Sequence, residues 1–163
     1  IIVGTPDYDR DITDPAGRLI ADENVMYSFH FYTASHHEEM MDTLDTALRL
    51  GVPVFVSESG ISQMSGEGRA DYEYAARWYT YLREHKISFV IWSLSNKRET
   101  SAFIKASSGA YLSLGDDDLT DTGKWVRELM RGRIPVRSPR VKHISGTPSG
   151  KISSNLSLKQ NIK

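Results

Sequence analysis

Phe55-Val56-Ser57-Glu58-Ser59-Gly60 is a short apolar run that ends in one carboxylate and a glycine turn. Two other runs end comparably: Val25 to Tyr32 closes in His30-Phe31-Tyr32, and Phe89 to Ser93 closes in Trp92-Ser93. All three are rich in β-branched and aromatic residues, which suit strands. Between the first two lies 37–50, where Met40, Met41, Leu44, Ala47 and Leu48 recur at helical spacing. Between Glu58 and Trp92 lies 69–84, with Tyr72, Ala75, Ala76, Tyr79 and Leu82 on one side of a second helix. His30 to Glu58 is 28 residues and Glu58 to Trp92 is 34. Strands and helices alternating at that spacing predict βα units and a parallel sheet. Polar and aromatic groups at the strand ends fit the C-terminal rim of a (β/α)8 TIM barrel. A doubly wound sheet is the alternative fold, but no glycine-rich phosphate loop follows any strand.

Side chains alternate faces along a strand. Met26, Ser28, His30 and Tyr32 are therefore expected on one face, with Val25, Tyr27, Phe29 and Phe31 on the other, greasy enough to lie under helices. The same parity places Val54, Val56 and Glu58 inward with Phe55 outward, and groups Ser88, Val90 and Trp92.

Further out, Ile1 to Gly4 reads as a strand, so the chain is expected to begin inside a fold; Gly4-Thr5-Pro6-Asp7 signals a turn. Residues 9–24 read as a loop with a short helical turn. Gly51 sits where a left-handed helix cap belongs. Asn96 to Asp118 is a long polar connection of the kind that carries function. Leu119 to Arg131 reads as a last helix, capped by Thr120 or Asp121, with Val126, Leu129 and Met130 inward. Trp78 and Trp125 are expected to be packing residues. His37-Glu38-Glu39 reads as a helix start rather than a metal site, the acids suiting the helix dipole.

The formal net charge of -1 conceals an asymmetry. Residues 132–163 carry seven Lys or Arg and no acid, which leaves 13 positives against 21 acids, a net of -8, over residues 1–131. An acidic body argues against nucleic acid as a partner. No run approaches the roughly 18 apolar residues that span a bilayer, so no membrane partner is expected. Cysteine is absent, which excludes disulfides and thiolate metal sites. The Pro-, Ser-, Lys- and Arg-rich segment 132–163 reads as a basic linker or disordered tail. A whole barrel takes about 250 residues. The remaining 131 residues suffice for about four βα units, half a barrel.

Ile1-Ile2-Val3-Gly4-Thr5-Pro6, Tyr27 to Tyr32, Phe55 to Gly60 and Trp92 to Glu99 stand in an order and spacing that resembles the second half of bacterial glycoside hydrolase family 5 enzymes of the endo-β-1,4-glucanase (cellulase) type. The resemblance covers about residues 1–131, the fifth to eighth βα units. It implies a secreted retaining glycosidase acting on a β-1,4-linked glucan, without metal or organic cofactor. It places the nucleophile at Glu58, with His30 lining the cleavage subsite and Tyr32 hydrogen-bonded to the nucleophile. It makes Trp92 a sugar platform, Lys97 and Glu99 binders of glucose hydroxyls, Tyr8 a stacking residue where members often carry tryptophan, and His36 a rim histidine. The family's acid/base lies in an Asn-Glu dipeptide ending the fourth strand, and no Asn-Glu occurs in this chain. The partner acid, with the first half of the barrel, is therefore expected outside it.

Four positions depart from the family pattern. Ser59 replaces a frequent tryptophan, expected to remove aromatic bulk near the rim; Asn96 and Arg98 replace frequent aspartates around Lys97; Ser57 replaces threonine. Mannan, xyloglucan or lichenan are alternative substrates within the same chemistry. A non-catalytic half-barrel that needs a complementary half is the alternative of a different class.

Overall fold

Three parallel strands, β1 (Ile2–Val3), β2 (Met26–Tyr32) and β3 (Val54–Gly60), form a sheet in that order. The computed structural model describes residues 1–109 and 113–134. The helical elements are a single turn α1 (Pro6–Asp9), then α2 (Glu38–Arg49), α3 (Tyr72–Glu84) and α4 (Asp121–Met130). Short 3-10 turns occupy Asp14–Gly17 and Asp116–Asp118. The expected βαβα order is present, and the first turn of the 9–24 loop lies where a short helical turn was anticipated.

Alternation holds along β2. Tyr27, Phe29 and Phe31 are buried in the core, where the Phe31 ring stacks on Trp78 with centroids 4.0 Å apart. Trp78 and Trp125 are fully enclosed, as packing residues should be. The Trp78 indole satisfies its N–H on the His36 carbonyl at 2.9 Å, which lets so large a group be buried without an orphaned donor. Leu44 and Ala47 of α2 are buried, and Met40, Met41 and Leu48 pack beside them. Gly51 closes α2 with φ +79°, its N–H on the Leu48 carbonyl, a conformation that glycine adopts without a Cβ penalty.

Alternation fails along β3. Val54 pairs with Tyr27 and Phe55 with Ser28, so Val54 lies on the helix-covered face and Phe55 on the other, the reverse of the parity expectation. Between Ser28 and His30 strand β2 advances two residues while β3 advances three, from Phe55 to Glu58. The extra residue is a β-bulge, which breaks the period of two. Val56 remains fully buried in the core rather than inward, while Ser57 and Glu58 both face the His30 side.

The bulge also explains a missing strand. Residues 88–93 run parallel to β3 but make one isolated bridge, Val56 to Phe89, instead of a regular strand. Val56 N–H donates to the Ser88 carbonyl, Val90 N–H to the Val56 carbonyl and Trp92 N–H to the Ser59 carbonyl. On this side too, two residues (Val90 to Trp92) span three (Val56 to Ser59), so the ladder is offset on both flanks of β3. Ser88, Val90 and Trp92 share an exposed face, as parity predicted.

The later helices begin where side chains cap them. Asp71 accepts the Tyr74 N–H at 2.9 Å, so α3 starts at Tyr72, three residues later than the pattern suggested. Thr120 caps α4 through the Gly123 N–H. A Cβ on Gly123 would lie 2.1 Å from the Phe103 carbonyl oxygen, so only glycine lets α4 dock there. Val126 and Leu129 are buried, but Met130 is 69% exposed and is not an inward residue. Among the described residues no helix is long and apolar enough to cross a membrane. Of the tail expected over 132–163, residues 135–163 lie outside the described residues.

Candidate active site

The register of β2 on β3 sets His30 beside Glu58. Tyr32, on the same face two residues on, donates its phenol to Glu58 Oε1 at 2.7 Å. Burial, and then the bond to Glu58, push the Tyr32 phenol far above its ordinary 10.0. The phenol therefore remains a donor at any working pH and gives the carboxylate one fixed partner. The His30 Nε2 lies 2.8 Å from Ser57 Oγ, which is in turn hydrogen-bonded to Ser28 Oγ. His30, Tyr32 and Glu58 are thus brought together at the strand ends, as their spacing suggested.

Trp92 follows on the neighbouring segment, tied to β3 by its N–H and 42% exposed. The Lys97 ammonium sits 5.6 Å from the Trp92 ring centroid, within the range of a cation–π contact. Lys97 and Glu99 also line a cleft of about 770 Å³ that continues past Arg69, Arg98 and the start of α4. The Glu99 carboxylate is held by the Ser101 hydroxyl at 2.7 Å. Tyr8 stands out from α1, 85% exposed, with the Arg10 guanidinium 5.9 Å from its ring. Flat faces of this kind match the apolar C–H faces of a pyranose.

His36 lies behind the strand end rather than out on the rim: its Nδ1 accepts the Tyr32 backbone N–H at 2.9 Å. Burial first, then the positive charges of Arg10 and His37, hold it below its ordinary 6.5. A folded-state value below the unfolded one means that the unfolded chain binds the extra proton. The stability His36 contributes is therefore complete above about pH 6.5 and is lost as pH falls through the window down to its folded value. The urea midpoint should drop more between about pH 7.5 and pH 5 in the natural protein than in His36→Gln. Equal drops would show that His36 plays no part.

Ser59 corrects an expectation. Its side chain is fully buried on the helix side, donating to the Val90 carbonyl at 2.7 Å and bonded to the Tyr79 hydroxyl at 2.9 Å. The side chain at this position points away from the rim, so the serine removes no bulk there; it ties the end of β3 to the segment that carries Trp92. Sequence reasoning also missed Ser57 and Asp9 as neighbours of His30. Ser57 was hidden by the assumed alternation, and Asp9 by a polar loop with no periodic signal. Among the described residues no group of three or more His, Cys, Asp or Glu is placed to hold a metal ion.

The family model described as cellulase (glycosyl hydrolase family 5) matches residues 1–98. The chain belongs to glycosyl hydrolase family 5. It is 35% identical over 127 residues to endoglucanase A of Butyrivibrio fibrisolvens, covering 77% of this chain and 30% of that protein. It is 37% identical over 131 residues to endoglucanase 5 of Pectobacterium carotovorum subsp. carotovorum, covering 80% of this chain and 26% of that one. Among solved structures it superposes on the alkaline cellulase K catalytic domain with a TM-score of 0.78 at 30% identity, covering 88% of this chain and 46% of the other. It superposes on the Thermobifida fusca endoglucanase Cel5A catalytic domain, in complex with cellotetraose, with a TM-score of 0.71 at 30% identity, covering 80% and 45%. The fold is part of a (β/α)8 barrel, and the chain spans about a third or less of the length of these curated relatives and under half of these solved chains.

Proposed function

We propose that residues 1–131 are the second half of a retaining glycoside hydrolase that cleaves internal β-1,4-glucosidic bonds, with Glu58 as nucleophile. Residues 132–163 read as a basic linker from composition alone. The observation that carries the reading is the pairing of the Tyr32 phenol with Glu58 Oε1 at 2.7 Å, with Glu58 directly opposite His30 in the register. A carboxylate so held can attack the anomeric carbon as the glycosidic bond breaks, forming a glycosyl ester. A second carboxylic acid, about 5–5.5 Å away in retaining enzymes, gives its proton to the leaving oxygen. It then takes a proton from the water that releases the sugar, and Glu58 leaves as carboxylate. That partner belongs to the complementary half. Trp92 and Tyr8 offer stacking faces, Lys97 and Glu99 bind hydroxyls of the next sugar, and His36 supports the Tyr32 backbone. The relatives that carry the name endoglucanase are bacterial, and a polymeric substrate favours a secreted enzyme.

The test is a comparison of the full-length parent protein on soluble carboxymethyl cellulose and on galactomannan. Reducing ends released mainly from the cellulose derivative are expected; release from galactomannan alone would make the enzyme a mannanase. One observation favours a second reading of the 163-residue chain taken by itself. Apolar side chains lie exposed at both margins of the described sheet, Ile2 on β1 and Val90 and Leu94 on and just beyond the 88–93 segment, surface of a kind that associates with another chain. By itself the chain is then a non-catalytic half, without measurable hydrolysis.

A further inference from the structure

The chain turns sharply at α1. Asp7, Tyr8 and Asp9 have φ of 56°, 58° and 63°, three consecutive left-handed residues that each carry a Cβ. Each such residue is disfavoured relative to a right-handed one, and strain of this kind collects at functional sites where surrounding bonds over-determine it. Here those bonds are present. Asp9 N–H donates to the Thr5 carbonyl, Arg10 N–H to the Asp7 carbonyl and Asp11 N–H to the Pro6 carbonyl. The Arg10 guanidinium grips both the carbonyl and the carboxylate of Asp7. Thr5 Oγ1 donates to the Ser28 carbonyl and ties the turn to β2.

The turn gives the two oxygens of Asp9 separate partners. Oδ1 accepts the Thr5 N–H at 2.5 Å, and Oδ2 lies 3.5 Å from His30 Nε2. The two side chains are only 22% and 23% exposed. The imidazole is thus held between a carboxylate, which only accepts, and the Ser57 hydroxyl, which can accept and pass its own proton toward Ser28. An Nε2 that carries hydrogen suits both neighbours, donating to the Ser57 hydroxyl at 2.8 Å and turning its positive edge to the Asp9 carboxylate at 3.5 Å, and the partner of one ring nitrogen decides the state of the other.

We propose that Asp9 is a positioning residue for the reaction: its carboxylate holds the His30 ring with Nε2 protonated, and so fixes the face that the imidazole turns toward Glu58 and the sugar. The assignment rests on the proposed function of Glu58, and its test separates the two.

The variant is Asp9→Asn in the full-length enzyme. Its amide oxygen can keep the Thr5 N–H, while its NH2 then faces Nε2 as a donor and favours a bare Nε2. The ¹⁵N resonances of the His30 ring, recorded without substrate, report which nitrogen carries hydrogen. We expect the proton to move to Nδ1, with kcat on cellotetraose about tenfold lower and KM little changed. A ring that keeps its Nε2 proton overturns the proposal, whatever the rate. A ring that switches while kcat stays within twofold overturns it equally, because the ring state would then not matter to turnover. If Glu58→Gln left hydrolysis intact, the proposed function would fall, while the resonances would still report on Asp9 and His30.

Discussion

Replacing Glu58 by Gln in the full-length enzyme is expected to lower kcat by about 10⁴-fold or more, with binding of cellotetraose retained. The amide occupies nearly the same volume and can still accept the Tyr32 phenol, now bonded to Glu58 Oε1 at 2.7 Å. Packing around Tyr32 and His30 therefore persists, and only the proposed nucleophile is lost. A small external nucleophile such as azide restores turnover more readily when the side chain is cut back, as in Glu58→Ala. Its product should be a glycosyl azide of inverted configuration, because the displacement then occurs once rather than twice. Turnover by Glu58→Gln within tenfold of the natural enzyme would exclude Glu58 as nucleophile.

The second large effect is predicted two residues away. A Cβ on Gly60 would lie 2.5 Å from Cδ1 and Cε1 of the Tyr32 ring, far inside contact distance. The backbone at Gly60 is not left-handed, so alanine is disfavoured there by its neighbour and not by its own conformation. Tyr32 is 7% exposed and cannot swing into solvent without emptying its site. Its ring must shift by about 1 Å, and a displacement of that size can cost about 10²-fold in rate. Gly60→Ala should therefore lower kcat by about that factor while the fold, read by far-ultraviolet circular dichroism, persists. A rate within twofold of the natural enzyme would mean that Tyr32 and Glu58 do not act as a unit.

Much of this was legible because the relevant signals are local. The apolar stripe of Met40, Met41, Leu44, Ala47 and Leu48 can only be a helix face, and Tyr27, Phe29 and Phe31 can only lie under helices. Thr120 and Gly51 mark helix ends by their own chemistry. The errors came where a tertiary pairing overrides a local period. Nothing in Val54-Phe55-Val56-Ser57 announces that one residue is extra; the bulge is visible only against the count of β2. From that one event follow the exchanged faces of Val54 and Phe55, the missed Ser57 and the reduced third strand. Ser59 looked like a rim residue because the family pattern carries a frequent tryptophan at its position, yet its burial depends on Tyr79, twenty residues on. Asp9 reaches His30 only through a left-handed turn, a conformation that its residue types do not advertise. Met130 fits the α4 stripe but falls past the edge of what the core covers.

A regular strand offers a given wall one side chain for every two residues, about 6.6 Å of rise. At its bulge β3 presents Ser57 and Glu58 to the same wall in succession, within about half that length. The hydroxyl that meets His30 and the carboxylate that meets Tyr32 are therefore supplied by adjacent residues of one chain, with no loop between them. The density of polar groups is doubled at one spot, and the two cannot be separated without re-registering both neighbouring ladders.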